Sequence, residues 1–200
     1  SIDAGPFVAF KGKHFSPGGA TPTVTYGIHG NAASKAYSCT VQAGFTDTDI
    51  RCAISAGVGH ELSFVVNDGQ QLSAESTDRL SYPRPTLVAG TIKEDGAASG
   101  TTHVSGSSST GEYIIFKATN VGNDASKISV KYGIKATNGP FNYQCTALTV
   151  VSYNAATHES EIRCRTQEGE GYFHAFVITA LNYESAMGSD TYSYPQIPIV

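Results

Sequence analysis

The sequence predicts an all-β protein built as two small sandwiches in series. Three observations carry this: an internal repeat that runs through nearly the whole chain, short strand-like segments bounded by turn residues in each copy, and one pair of cysteines per copy. The 200 residues are 40% apolar, with 21 Gly, 8 Pro and only 15% charged side chains. Such a chain can build a core but is broken too often for long helices. No stretch places apolar residues at i, i+3, i+4 and i+7 over three turns.

Shifting the sequence by 106 places Phe10-Lys11 on Phe116-Lys117, Val24-Thr25-Tyr26-Gly27-Ile28 on Val130-Lys131-Tyr132-Gly133-Ile134, and Tyr37, Cys39 and Thr40 on Tyr143, Cys145 and Thr146. Beyond the first cysteine of each copy the offset becomes 112 and stays there. Ile50-Arg51-Cys52 then meets Ile162-Arg163-Cys164, Gly57 and Gly59 meet Gly169 and Gly171, Phe64-Val65 meets Phe176-Val177, and Ser81-Tyr82-Pro83 meets Ser193-Tyr194-Pro195. One six-residue insertion between the paired cysteines accounts for the change.

In the first copy the strand signals are Phe7-Val8-Ala9-Phe10, Thr23-Val24-Thr25-Tyr26, Ile50-Arg51-Cys52-Ala53-Ile54 and Leu62-Ser63-Phe64-Val65-Val66, rich in β-branched and aromatic residues. Turn clusters such as Ser16-Pro17-Gly18-Gly19 and Asn67-Asp68-Gly69 separate them. Ile114-Ile115-Phe116, Ile128-Ser129-Val130 and Ala175-Phe176-Val177-Ile178 repeat the pattern in the second copy. Short strands at this density predict a sandwich in each. The join falls at Tyr82-Pro83-Arg84-Pro85, where two prolines hold the chain extended. This gives domains at residues 1–84 and 85–195 and an apolar tail at 196–200. Glu94 to Gly111, dominated by small and hydroxyl residues, reads as a solvated loop at a sandwich end. The competing reading is O-glycosylation at Ser105, Ser107, Ser108, Ser109 and Thr110. No Asn-x-Ser/Thr sequon occurs, which excludes N-glycosylation.

Four cysteines allow three pairings, and the repeat favours Cys39 with Cys52 and Cys145 with Cys164. The bridges would enclose 12 and 18 residues, each worth about 3 kcal/mol through restriction of the unfolded chain. Zinc would need closely spaced ligand pairs, and neither Cys-x-x-Cys nor His-x-x-x-His is present. Disulfides place the chain in an oxidising compartment, extracellular or at a cell surface.

Little in the sequence points to chemistry. The six histidines, His14, His29, His60, His103, His158 and His174, are scattered, and there is no Gly-x-Ser-x-Gly elbow. Gly57-Val58-Gly59 has no third glycine and no following helix, so it reads as a hairpin turn rather than a phosphate loop. Asp47-Thr48-Asp49 and Asn67-Asp68-Gly69 read as turns rather than calcium loops. Lys11-Gly12-Lys13-His14 and Arg163-Cys164-Arg165 read as solvated strand-edge charges, and the 11 tyrosines as cross-strand packing rather than a sugar platform. No enzyme, cofactor or metal is expected. A net charge of −4 with dispersed basic residues argues against nucleic acid. No apolar run reaches bilayer length, so no membrane insertion is expected. Nor is a charged segment followed by an apolar one present, so a secretion signal would already have been removed.

The order of the repeated motifs resembles the IPT/TIG family of immunoglobulin-like domains, found in tandem in plexin-type and hepatocyte-growth-factor-type receptors and in large surface proteins of protists and bacteria. The residues that carry the resemblance are Cys39, Ile50-Arg51-Cys52, Gly57-Val58-Gly59 and Ser81-Tyr82-Pro83, then Cys145, Ile162-Arg163-Cys164, Gly169-Glu170-Gly171 and Ser193-Tyr194-Pro195. It implies immunoglobulin-like sandwiches with intradomain disulfides, used as spacers, adhesive modules or receptor stalks, without catalytic residues. Intracellular transcription factors also carry such domains, and the paired cysteines and acidic balance argue against that branch.

The repeat register exposes an asymmetry. Residues 84–106 have no N-terminal counterpart, and in the family this stretch carries the opening strand. Gln196-Ile197-Pro198-Ile199-Val200 follows the last Tyr-Pro as Arg84-Pro85-Thr86-Leu87-Val88 follows the first. The expectation is therefore a structural filament or surface-array subunit that self-assembles head-to-tail, the tail Gln196, Ile197, Pro198, Ile199 and Val200 of one copy pairing with Phe7, Val8 and Phe10 of the next. The alternatives are a piece of a longer array, and a receptor or adhesin ectodomain that binds a protein or glycan.

Overall fold

A computed structural model describes residues 6–16, 19–32, 35–106, 110–134 and 141–195. The donated-strand residues Gln196 to Val200 and the hydroxyls of Ser107, Ser108 and Ser109 lie outside the described residues. The described chain is all-β apart from one 3-10 turn, Ala125–Lys127, whose start is capped by the Asp124 side chain accepting from Ser126 N–H. It divides into two compact units between Pro83 and Arg84.

The first unit contains β1 (Phe7–Lys11), β2 (Thr23–Gly27), β3 (Tyr37–Val41), β4 (Asp49–Ile54) and β5 (Ser63–Asn67). They form one sheet in the order β1-β4-β3-β2-β5. Along β3 the partner changes: Tyr37, Ser38 and Cys39 pair with β2, and Cys39, Thr40 and Val41 pair with β4. The sheet folds over there, because its two ends meet: the rings of Phe10 on β1 and Phe64 on β5 are 4.8 Å apart. Inside the fold Val24 and Tyr26 of β2 and Ile50, Cys52 and Ile54 of β4 are buried, at alternate positions along each strand, with Leu62 just before β5.

The second unit contains β6 (Thr86–Leu87), β7 (Lys93–Glu94), β8 (His103–Ser105), β9 (Tyr113–Thr119), β10 (Ile128–Ile134), β11 (Tyr143–Gln144), β12 (Thr146–Asn154), β13 (Glu159–Arg165), β14 (His174–Ala180), β15 (Tyr183–Glu184) and β16 (Thr191–Ser193). One sheet runs β11-β10-β14-β16-β8 with β15 beside β14. The other runs β12-β13-β9-β6 with β7 also on β9. Phe116 of the second meets Phe176 of the first with ring centres 6.0 Å apart, closing a two-layer core. Here β11 and β12 stand for the single strand β3, and the change of sheet falls at Cys145 between them. The repeat read from the sequence thus survives as topology, β9, β10, β13 and β14 matching β1, β2, β4 and β5.

Three expectations change. Glu94 to Gly111 is not only loop: β8 lies within it, parallel to β16, with Val104 buried. A run of small residues conceals a strand that needs only one apolar side chain to anchor it. Gly57-Val58-Gly59 is not a hairpin turn, because β4 and β5 are not neighbours; it carries the chain from one half of the folded sheet to the other. Arg163 and Arg165 lie on β13, a central rather than an edge strand, with Arg163 stacked 3.5 Å over the Tyr113 ring and paired with Asp95 at 2.6 Å.

Candidate functional site

The repeated motif residues gather at one place in each unit, and the chemistry there is structural. Tyr26 and Tyr82 share a hydroxyl-hydroxyl bond of 2.7 Å, and Tyr132 and Tyr194 one of 2.9 Å. Tyr37 donates its hydroxyl to Val58 C=O at 3.0 Å and accepts from Val58 N–H at 2.9 Å. Tyr143 makes the same pair with Glu170 at 3.4 and 3.3 Å. Burial raises the Tyr82 and Tyr194 hydroxyls well above the ordinary phenol range, aided by the hydroxyl each bonds.

The glycines and Ser-Tyr-Pro serve this cluster. A Cβ on Gly57 would come within 2.8 Å of Tyr37 and 2.9 Å of Tyr82; on Gly169 it would come within 2.6 Å of Tyr143 and 2.7 Å of Tyr194. Two positions on, Gly59 and Gly171 adopt φ of 121° and 101°, and their carbonyls accept from Tyr82 and Tyr194 N–H at 2.9 Å each. Ser81 and Ser193 hydroxyls accept from Glu61 and Phe173 N–H, both at 2.9 Å, holding those residues at φ of 50° and 54°. The tyrosines Tyr26, Tyr132, Tyr192 and Tyr194 are fully buried, so they offer no sugar platform.

The disulfides are both buried, Cys39–Cys52 where β3 passes from β2 to β4 and Cys145–Cys164 where the chain changes sheet. Ser105 on β8 and Thr110 are exposed hydroxyls. Phe7, Val8 and Phe10 lie together on β1, an edge strand, with Phe7 49% exposed and the other two half-buried.

Among the described residues no group of three His, Cys, Asp or Glu side chains is placed to hold a metal, and no helix is long and apolar enough to cross a membrane. At Asn67-Asp68-Gly69 the Asp68 carboxylate accepts from Gln70 and Gln71 N–H at 2.8 and 2.9 Å, a turn bond that lowers its pKa. At Asp47-Thr48-Asp49 the local bonds run to the Thr46 hydroxyl, from Thr48 and Asp49 N–H, while Asp47 reaches across to accept from His14 and Ser16 N–H.

Two polar groups escape notice in the sequence. Lys35, its side chain 1% exposed, donates to Ile28 C=O, the Ser63 hydroxyl and the Glu75 carboxylate at 2.8, 3.0 and 2.8 Å. Glu75 also takes Gly30 N–H and contacts His29, and the Lys35 hydrogen bond leads in drawing its carboxyl down to about 2. That stabilisation is present above the ordinary carboxyl range and is lost as pH falls toward 2. Asp190 accepts three backbone N–H groups, from Gly90, Thr91 and Ile92, at 2.7, 2.9 and 3.1 Å. Its repeat partner Asp78 was the available signal.

His174 is the buried histidine, 1% exposed. Nε2 bonds Glu170 C=O at 2.9 Å, and Nδ1 has no partner among the described residues. Burial among Tyr132, Tyr143 and Tyr194 depresses its pKa below 6.5. The folded unit therefore binds this proton less readily than the unfolded chain, and stability is lost as pH falls below 6.5. Its repeat counterpart is Leu62, fully buried. His174→Leu is expected to flatten the acid side of the second unit's stability profile, measured as melting temperature between pH 7 and pH 4. A parallel fall in variant and parent would overturn this.

A scan against protein-family models finds no match, and a search of curated proteins finds none. Among solved structures the chain is similar to the plexin A4 full extracellular region, with 15% sequence identity and a TM-score of 0.40, over 96% of this chain and 17% of that one. The chain spans about a sixth of that ectodomain's length. No family is assigned on this likeness.

Proposed function

We propose that the chain is a non-enzymatic extracellular module, part of a receptor or adhesin ectodomain that binds a protein or glycan ligand. The observation that supports it is that what repeats is scaffold. Tyrosines, glycines, Ser-Tyr-Pro and disulfides are all consumed in holding each unit together. Recognition in such a module falls to surfaces that do not repeat. The two disulfides accord with secretion.

Assembly into a head-to-tail filament is a second reading, favoured by one observation: β1 ends its sheet, with Phe7, Val8 and Phe10 along it. Light scattering of the non-reduced chain, beside a version ending at Pro195, separates the two. A monomeric mass for both is expected of the ectodomain module. Large particles that collapse to monomer when Gln196 to Val200 are removed would overturn it in favour of the filament.

A further inference from the structure

In the second unit, Arg84 to Asp95 lies along the outer edge of β9 and is fastened at three stations. At the first, Arg84 Nε donates to Glu184 C=O at 2.8 Å, its carbonyl accepts from Asn120 Nδ2 at 3.1 Å, and its guanidinium lies 5.9 Å from the Tyr183 ring. The second is the edge itself, where β6 and β7 pair with β9. Between those strands Val88 N–H donates to Lys117 C=O at 2.9 Å and Lys117 N–H to the Thr91 hydroxyl at 3.0 Å. Asp95 N–H reaches Tyr113 C=O at 2.9 Å. The third is Asp190, which gathers the three N–H groups of Gly90, Thr91 and Ile92.

By the repeat register the first unit carries all three stations, and no described segment runs along them, though His14 is itself engaged by Asp47. The counterparts of Asn120, Tyr183 and Glu184 are His14, Gln71 and Leu72, and these line an open cleft of about 180 Å³ together with Phe15 and Val66. The counterpart of β9 is β1, at the end of its sheet, whose outer edge pairs with no described residue. The counterpart of Asp190 is Asp78, exposed, and no described residue donates to its carboxylate. Burial differs accordingly. Ile114, Phe116 and Ala118 are 0%, 3% and 0% exposed, whereas their counterparts Val8 and Phe10 are half-buried and Gly12 is exposed.

We propose that the outer edge of β1, the cleft at His14, Gln71 and Leu72, and the Asp78 carboxylate form one acceptor groove. Its occupant is an extended segment with the pattern of Arg84–Asp95: an arginine at its start, apolar residues such as Leu87 and Val88 along the edge, and three successive amides to cap Asp78. Main-chain pairing along an edge supplies affinity, and the side-chain stations fix the register. A peptide of Gln196 to Val200 alone matches only Arg84 to Val88 and carries no counterpart of the amides that Asp78 would collect. The inference rests on the repeat register rather than on the ectodomain reading, and a monomeric mass leaves it standing.

The test is titration of the intact chain with a synthetic peptide of residues Arg84 to Asp95, followed by calorimetry and amide exchange. Saturable one-to-one binding is expected, with the Lys11 amide becoming protected. Asp78→Ala, on an exposed loop, is expected to weaken binding about tenfold or more through loss of charge-assisted bonds. A peptide carrying Leu87→Asp is expected not to bind. Three results would each overturn the proposal: no saturation at millimolar peptide, undiminished binding to Asp78→Ala, or equal binding of a peptide of Gln196 to Val200.

Discussion

Replacing Cys39 and Cys52 together by alanine is expected to cost about 3 kcal/mol and to leave the first unit largely unfolded at 37 °C. The bridge joins residues 13 apart in sequence, and the entropy it withholds from the unfolded chain is a large share of a small domain's 5–15 kcal/mol. The position raises its importance. Cys39 lies where β3 leaves β2 for β4, so the bridge fastens the strand that joins the two halves of the fold. The Cys145/Cys164 pair, 19 residues apart, has a similar intrinsic worth. Its unit keeps two sheets bridged by the β9–β14 contact and framed by β6, β7 and β8, so the same double replacement is expected to lower its melting temperature without unfolding it. Thermal unfolding followed by near-ultraviolet circular dichroism, with limited proteolysis to locate the open segment, checks both. Equal sensitivity of the two units would contradict the difference.

Tyr26→Ala and Tyr132→Ala are each expected to destabilise by about 3–5 kcal/mol. Each ring is fully buried against a further tyrosine and a phenylalanine: Tyr26 stacks on Tyr37 at 5.2 Å and lies tilted against Phe64 at 5.1 Å, and Tyr132 stacks on Tyr143 and Phe176 at 5.2 Å each. Phenylalanine at either position retains the packing and removes one hydroxyl. The loss then falls to about 1–3 kcal/mol, from partners such as Ser55 N–H and Gln167 N–H left without an acceptor. Tyr172→Ala, at an exposed ring, is expected to stay within about 0.5 kcal/mol. Denaturant melts of the five variants rank them, and an alanine variant as mild as Tyr172→Ala would refute the account of the repeated tyrosines.

The repeat makes most of the fold legible in the sequence alone. Strand positions could be read because β-branched and aromatic residues recur between turn residues, as in Ile50 to Ile54 and Ile162 to Cys164. What stayed hidden depends on sheet partnership rather than composition. β8 is a strand because β16 offers it a ladder, and nothing in Thr102-His103-Val104-Ser105 announces that partner. The Gly-x-Gly segments carry a turn signal in either setting. Only the placement of β4 and β5 in different halves of the sheet tells a crossover from a hairpin. The candidate groove was half legible: Phe7, Val8 and Phe10 could be named, whereas Asp78 gains meaning only when Asp190 is seen holding three amides.

The placement of the disulfides bears on how such a chain carries load. A pulling force transmitted along the backbone passes through each sulfur bridge and bypasses the chain it encloses. At about 3.5 Å per extended residue, the spans of 13 and 19 residues would otherwise add about 45 and 65 Å of length. Held by Cα separations of 5.5 Å at each bridge, the oxidised chain pulls taut about 100 Å short of the reduced one. One tether at the strand crossing of each unit thus limits the length to which that unit can be drawn.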